Sequence, residues 1–280
     1  MALIALFSAG GSPGVTATAL ALSLTWHRPV LLVEADPSGA SAVFAGYFRG
    51  THAPAGGLIN LALAHRDGTL AETLPRETLV LDPSAPATAP VWFLPGVRDH
   101  QQAPSLIPLG EPLAEQLRAM DRQGQDVSVD AGRLGLTGCP RALIAAADLA
   151  LLVTRTSLPA LAASRSWAEA LRAEFATTAG ASRLGVLTVD EDRRWPVLPA
   201  VVPRVRPYTN RQIGKALELP VVASVPWEPE VAEVYSHGAR RPRKFASSIL
   251  QASYKASADA IAARIAANHA TLAPATGGRS

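Results

Sequence analysis

The segment that most constrains the fold of this chain is ALIALFSAGGSPGVTATALALSL, residues 2–24. An apolar run from Leu3 to Phe7 leads into a cluster of small residues from Ser8 to Gly14. An alanine- and leucine-rich helical pattern then begins near Val15 and Thr16. A strand, a tight loop and a helix in this order direct backbone N–H groups and a helix N-terminus at an anion. The segment therefore predicts an anion-binding loop.

The loop fits the spacing of the phosphate-binding pattern G-x-x-x-x-G-K-[ST], with one exception. Gly14 stands at the second glycine and Thr16 at the hydroxyl that binds magnesium, but Val15 stands where the lysine belongs. Valine offers neither charge nor donor, and Pro13 has no N–H to contribute. Two interpretations stay open: the loop still binds phosphate, or it survives only as a folding turn.

Apolar strand patterns alternate with helical patterns along the rest of the chain. Strands are predicted at 29–34, 78–81, 91–94, 124–130, 148–154, 184–189 and 221–225, and helices at 58–65, 68–74, 112–122, 158–175, 212–217 and 245–267. This alternation predicts an α/β fold, doubly wound, with a mainly parallel sheet and helices on both faces. We expect one domain over 1–267, a long loop at 190–210 and a disordered tail at 268–280.

Composition favours a globular cytoplasmic protein. Hydrophobic residues make up 48% of the 280 residues and charged residues 18%, and the formal net charge is only +3, which is weak evidence for an anionic partner. The single cysteine, Cys139, excludes an intramolecular disulfide and is interpreted as a packed thiol. No apolar segment approaches the ~20 residues that cross a bilayer.

Six motifs, in this order, resemble the MinD/ParA family of deviant Walker A ATPases, which are P-loop proteins of the SIMIBI class that position division sites, plasmids and pili in bacteria. The motifs are SAGGSPGVT (8–16), VEADP (33–37), FLPG (93–96), VDAG (129–132), ADLALLVT (147–154) and VPWE (225–228). The resemblance spans the chain from Ala2 to about Ile265. It implies ATP or ADP and Mg²⁺ as cofactors.

The resemblance also assigns roles to individual residues. It places the nucleotide at Gly10, Gly11, Ser12, Gly14, Val15, Thr16, Ala17 and Trp227. It assigns magnesium binding to Thr16, Glu34 and Asp130, and it makes Asp36 the acid that orients the attacking water. The family's two loop lysines, a signature lysine and a P-loop lysine, are replaced here by Gly10 and Val15. Without those lysines or magnesium, the three carboxylates are expected to repel one another and to raise at least one pKa.

Three functional hypotheses follow. The first is a degenerate member of the family, a positioning scaffold or regulatory partner with weak or absent hydrolysis, as in the CpaE and TadZ relatives with atypical loops. The second is an active ATPase that recruits another cation, such as Arg133, Arg211 or Lys215. The third is nonspecific DNA contact, for which the candidate residues are Arg240, Arg241, Arg243 and Lys244.

The resemblance implies a protein partner, either a second copy of the chain or a component of a larger apparatus. In the family the signature lysine bridges two subunits across the nucleotide, and Gly10 removes it. A nucleotide-driven dimer is therefore not expected, while a constitutive dimer and a monomer docked on a partner stay open. The last helix offers mainly alanine, so membrane insertion through it is not expected.

Overall fold

The computed structural model describes residues 2–52, 56–178, 180–190 and 207–272. Its strands are Leu3–Ser8 (β1), Val30–Glu34 (β2), Leu79–Val80 (β3), Val91–Leu94 (β4), Asp126–Arg133 (β5), Leu149–Arg155 (β6), Leu184–Val189 (β7) and Val221–Val225 (β8). They form one sheet in the order β3-β4-β2-β5-β1-β6-β7-β8. Every neighbouring pair is parallel except β3 with β4. The predicted, mainly parallel sheet is confirmed.

Helices connect the strands. They are Val15–Thr25 (α1), Leu58–Arg66 (α2), Leu70–Thr73 (α3), Gly110–Ala119 (α4), Arg141–Ala146 (α5), Leu158–Thr178 (α6), Asn210–Leu217 (α7), Pro229–Ser236 (α8) and Ile249–Leu272 (α9). A 3-10 helix over His100–Leu109 precedes α4, and a capping box at Asp99 begins it. The sequence patterns did not predict this element, α5 or α8, which are short or interrupted by proline.

Alternate residues of β1 enter two different cores. Leu3, Ala5 and Phe7 pack in the cluster that includes residues of α2, α4 and α6, whereas Ile4 and Leu6 pack in the cluster that includes residues of α1, α8 and α9. Successive side chains of a strand point to opposite faces, so a strand that is apolar at every position needs cover on both. The predicted doubly wound architecture, with helices on both faces, is confirmed.

A buried carboxylate joins the amino ends of β1 and β5 to the carboxyl end of α1. Asp126, 1% exposed, starts β5. Its Oδ1 accepts the N–H of Ala2 before β1, and its Oδ2 accepts the Nε1–H of Trp26 after α1, both at 2.8 Å. Nη1 of Arg28 lies 3.6 Å from Oδ1. This network anchors the edge of the sheet opposite the anion-binding loop.

The last helix is longer than the sequence pattern suggested. It ends at Leu272, five residues beyond the expected domain end at 267. Asn268 is buried in it and donates from Nδ2 to the carbonyl oxygen of Ser182 at 3.0 Å. Residues 268–272, expected as disordered tail, are therefore helical, and 273–280 lie outside the described residues. Within the described residues no helix combines the length and the apolarity needed to cross a membrane.

Candidate functional site

The loop between β1 and α1 has an unusual backbone that small residues permit. Gly11, Ser12 and Gly14 have φ values of 74°, 43° and 94°, a region that glycine enters without a steric penalty. A Cβ added at Gly11 or Gly14 would meet no atom within 4 Å, so the space above the loop is open. Gly14 precedes α1 and gives its first turn no side-chain cap. The free N–H groups of that turn suit an anion.

Val15, which stands at the lysine position of the loop, is part of the hydrophobic core. Val15 is 7% exposed and packs in the cluster shared by α1, α8 and α9. The whole chain has three lysines, Lys215, Lys244 and Lys255, and none is in the loop. Thr16 and Ala17 follow in the first turn of α1, half-buried. The loop thus keeps a hydroxyl and backbone donors but supplies no cation of its own.

Asp130 lies beneath the loop, where burial and two neighbouring carboxylates disfavour its charged form. It is 1% exposed and accepts the Gly132 N–H at Oδ1 at 3.1 Å, and the nearby Thr16 hydroxyl acts to lower its pKa. Its Oδ2 is buried without a partner among the described residues. Burial first, and then the nearby charges of Asp36 and Glu34, raise the pKa of Asp130 to about 7. The predicted rise in a carboxylate pKa is confirmed, although burial contributes more than repulsion.

Glu34 is already engaged by its neighbours. As the last residue of β2, it pairs in register with Asp130 of β5. Its Oε1 accepts the Ser41 hydroxyl at 2.8 Å and its Oε2 accepts the Gly96 N–H at 3.2 Å, while burial raises its pKa. The predicted acids do share one edge of the sheet. No group of three or more histidine, cysteine, aspartate or glutamate side chains in the described ranges is placed to hold a metal.

Asp36 approaches the backbone of β5 closely. Its Oδ1 accepts the N–H of Ser38 at 2.9 Å. A Cβ added at Gly132, where φ is 63°, would lie 2.2 Å from Cγ of Asp36. Gly132 is thus required for two reasons, its backbone conformation and the space that the Asp36 carboxylate fills. The proposed water-orienting acid therefore lies against the backbone of β5, close to Asp130.

Arg133 lies beside the position that a side chain at Gly10 would take. A Cβ added at Gly10 would meet Nε and Nη2 of Arg133, each at 3.9 Å. Register explains the proximity, because Ser8 at the end of β1 pairs with Arg133 at the end of β5. The exposed guanidinium of Arg133 therefore lies next to Gly10, the position at which the signature lysine is missing.

Sequence reasoning missed Arg155, the last residue of β6. Its Nη2 lies 3.5 Å from the carbonyl oxygen of Ser12, and its guanidinium carbon lies 4.7 Å from the ring centroid of Trp227. Trp227, which the resemblance assigned to the nucleotide, is 36% exposed. The position of Arg155 one residue after the motif ADLALLVT was the available signal, since ligands of parallel sheets bind at the carboxyl ends of strands.

None of the described contacts joins the other predicted cations to the loop. Lys215 and Arg211 are exposed on α7. In the basic segment, Arg240, Arg243 and Lys244 are exposed, while Arg241 lies 3.9 Å from Asp82 and over the ring of Phe245. DNA contact through this segment stays a prediction. Cys139 is half-buried and its pKa is raised, chiefly by burial, as its interpretation as a packed thiol requires.

Comparison with solved structures identifies the architecture. A MinD cell division protein from Aquifex aeolicus superposes with a TM-score of 0.66 at 14% identity, covering 94% of this chain and 98% of the other. A ParA family ATPase from Chlorobium tepidum TLS gives 0.64 at 15% identity, with coverages of 92% and 97%. The chain has the MinD/ParA fold. No protein-family model and no curated protein matches the sequence.

A third solved structure, which contains a bound nucleotide, also has the MinD/ParA fold. The septum site-determining protein MinD from Pyrococcus horikoshii OT3, complexed with Mg-ADP, superposes with a TM-score of 0.61 at 16% identity, covering 89% of this chain and 93% of the other. At such identities the likeness establishes the fold alone. The chemistry of this site has to be argued from its own residues.

Proposed function

We propose that this chain uses the MinD/ParA fold as a positioning scaffold or regulatory partner, holding a nucleotide at the loop with weak or absent hydrolysis. The observation that carries the proposal is Val15, a core side chain at the position of the phosphate-gripping lysine. Groups that stabilise developing charge contribute ~3 kcal/mol each to the transition state. Lacking two such lysines, the chain is expected to turn over ATP no faster than background.

Residues that would hold a nucleotide and magnesium are present in part. The open cradle over Gly11 and Gly14 fits phosphate oxygens, and Thr16 with the unpartnered Oδ2 of Asp130 fits a hydrated magnesium ion. Magnesium bound there would offset phosphate charge. Glu34, predicted as a third contributor, holds Ser41 and Gly96 instead, so we assign it to fixing the turn after β2.

Phosphate release by the purified full chain with ATP and Mg²⁺ tests the absence of hydrolysis. The expected rate equals the buffer background, and Asp36→Ala leaves it unchanged, because no step depends on an oriented water. Nucleotide binding is read separately from thermal melting, where ligand at 100 times its Kd adds ~2.7 kcal/mol. Release that Asp36→Ala and Thr16→Ala both abolish, with folding intact, contradicts the scaffold proposal.

The second candidate function is an ATPase that uses Arg133 as its cation. Its support is the guanidinium of Arg133 beside Gly10, the position at which the signature lysine is missing. Arginine can replace lysine in neutralising transferring phosphate, as arginine fingers do. This candidate predicts hydrolysis that Arg133→Gln removes and Arg122→Gln, an exposed control with the same charge change, does not.

The partner is proposed to be a protein, either a second copy of this chain or a component of the apparatus that is positioned. Gly10 removes the lysine that would bridge two subunits through the nucleotide. We therefore expect the same sedimentation behaviour of the chain with and without nucleotide. An increase in mass on adding ATP would show a nucleotide-driven dimer instead.

A further inference from the structure

Arg155 connects the two walls of the candidate nucleotide site. It ends β6, which pairs with β1 so that Val153 lies opposite Ser8 at the start of the loop. From there its side chain reaches the Ser12 carbonyl on one side and the face of Trp227, after β8, on the other. These contacts join residues far apart in the sequence at one edge of the sheet.

The guanidinium of Arg155 has unused hydrogen-bonding capacity. Arginine has five N–H donors. Among the described residues, the guanidinium of Arg155 makes one hydrogen bond, from Nη2 to the carbonyl oxygen of Ser12 at 3.5 Å. Nε is buried and has no acceptor within the described part of the chain. None of the carboxylates in that part forms an ion pair with it. Within the described part of the chain, this positive charge thus has no counter-charge, and it lies beside a loop whose backbone suits anions.

Trp227 fixes the direction of this charge. A guanidinium over an indole ring is attracted by the electron-rich face, and this attraction restricts where the charge lies. With Trp227 on one side and Ser12 on the other, Arg155 is preorganised, so little side-chain freedom is lost when an anion binds. This suits a phosphate, which accepts two N–H donors of one guanidinium at once.

We propose that Arg155 is the cation that contacts the phosphate chain of a nucleotide in this loop, with Trp227 as its positioning residue. The inference rests on the proposed nucleotide binding and assigns the charge that Gly10 and Val15 no longer supply. The ligand class is a phosphoanhydride, namely a nucleoside diphosphate or triphosphate, and pyrophosphate is its minimal form. Adenosine, which has no phosphate, is not a ligand of Arg155.

The test is a titration of the full chain with pyrophosphate, ADP, ATP and adenosine, with Mg²⁺ present. Arg155→Gln is expected to weaken ATP and ADP binding about 10-fold or more, as for hydrogen bonds to charged groups. The same variant leaves adenosine binding unchanged. Arg155→Lys, which keeps the charge, recovers part of the loss, and Trp227→Ala weakens ATP more than Trp227→Phe does.

Arg122→Gln is the matched control, because it removes one exposed positive charge outside the loop. Thermal melting of each variant without ligand shows whether it is folded, and Arg155→Lys keeps the test usable if Arg155→Gln is not. Unchanged ATP affinity in Arg155→Gln, or an equal loss in Arg122→Gln, overturns the role of Arg155 and leaves nucleotide binding standing. A wild-type chain that binds neither nucleotide nor pyrophosphate overturns both proposals.

Discussion

Asp130→Asn is expected to make the metal-free, nucleotide-free protein more stable than wild type by about 4 kcal/mol at pH 8. The pKa of Asp130 is raised from 3.8 to about 7 in the folded state. An acid whose folded pKa is raised binds its proton more tightly when folded, so wild-type stability falls as pH rises from about 4 to about 7. Three pKa units at 1.36 kcal/mol each give about 4 kcal/mol.

The measurement is urea unfolding at pH 5 and pH 8 with EDTA present. Because asparagine cannot ionise, the stability difference between the variant and wild type should widen by about 3 kcal/mol from pH 5 to pH 8. Asp67→Asn, which removes an exposed carboxylate, is the control for general charge effects. Parallel pH profiles for Asp130→Asn and wild type would show that Asp130 is not protonated in the folded protein at neutral pH.

Asp126→Ala is expected to destabilise the fold by about 3–5 kcal/mol. The substitution leaves the Ala2 N–H and the Trp26 Nε1–H buried without their acceptor, and unpaired buried donors are costly. Arg28→Ala removes only a partner that is 41% exposed, and its cost should stay below about 1 kcal/mol. Denaturant unfolding of both variants decides the matter. Equal losses would mean that the ion pair, rather than the buried hydrogen bonds, stabilises this edge.

The sequence predicted the alternation of strands and helices well, because a local apolar pattern marks each of β1, α1, β2, β4 and β6 to β8. It predicted less where an element depends on distant contacts. For example, α5 has six residues and α8 begins at a proline, and both are stabilised by packing against other parts of the fold. The extension of α9 to Leu272 likewise depends on Asn268 meeting Ser182, 86 residues away.

In the candidate site, too, local motifs were predictable from the sequence and contacts between distant residues were not. Spacing identified the loop and the missing lysine at Val15, and the family resemblance pointed to the acids Asp36 and Asp130, because all of these belong to short motifs at strand ends. Neither showed that Glu34 is held by Ser41 and Gly96. A side chain's partners are set by the register of neighbouring strands, which no single motif encodes.

By itself, the sequence determined that a tight loop of small residues follows the first strand and that this loop carries no cation, because both properties reside in consecutive residues. Only the tertiary structure decided which cations lie beside it. Arg155 meets Ser12 across 143 residues of sequence, and Arg133 lies beside Gly10. The physical reason is that a parallel sheet gathers the carboxyl ends of its strands at one edge, and which side chains meet there depends on strand order rather than on sequence distance.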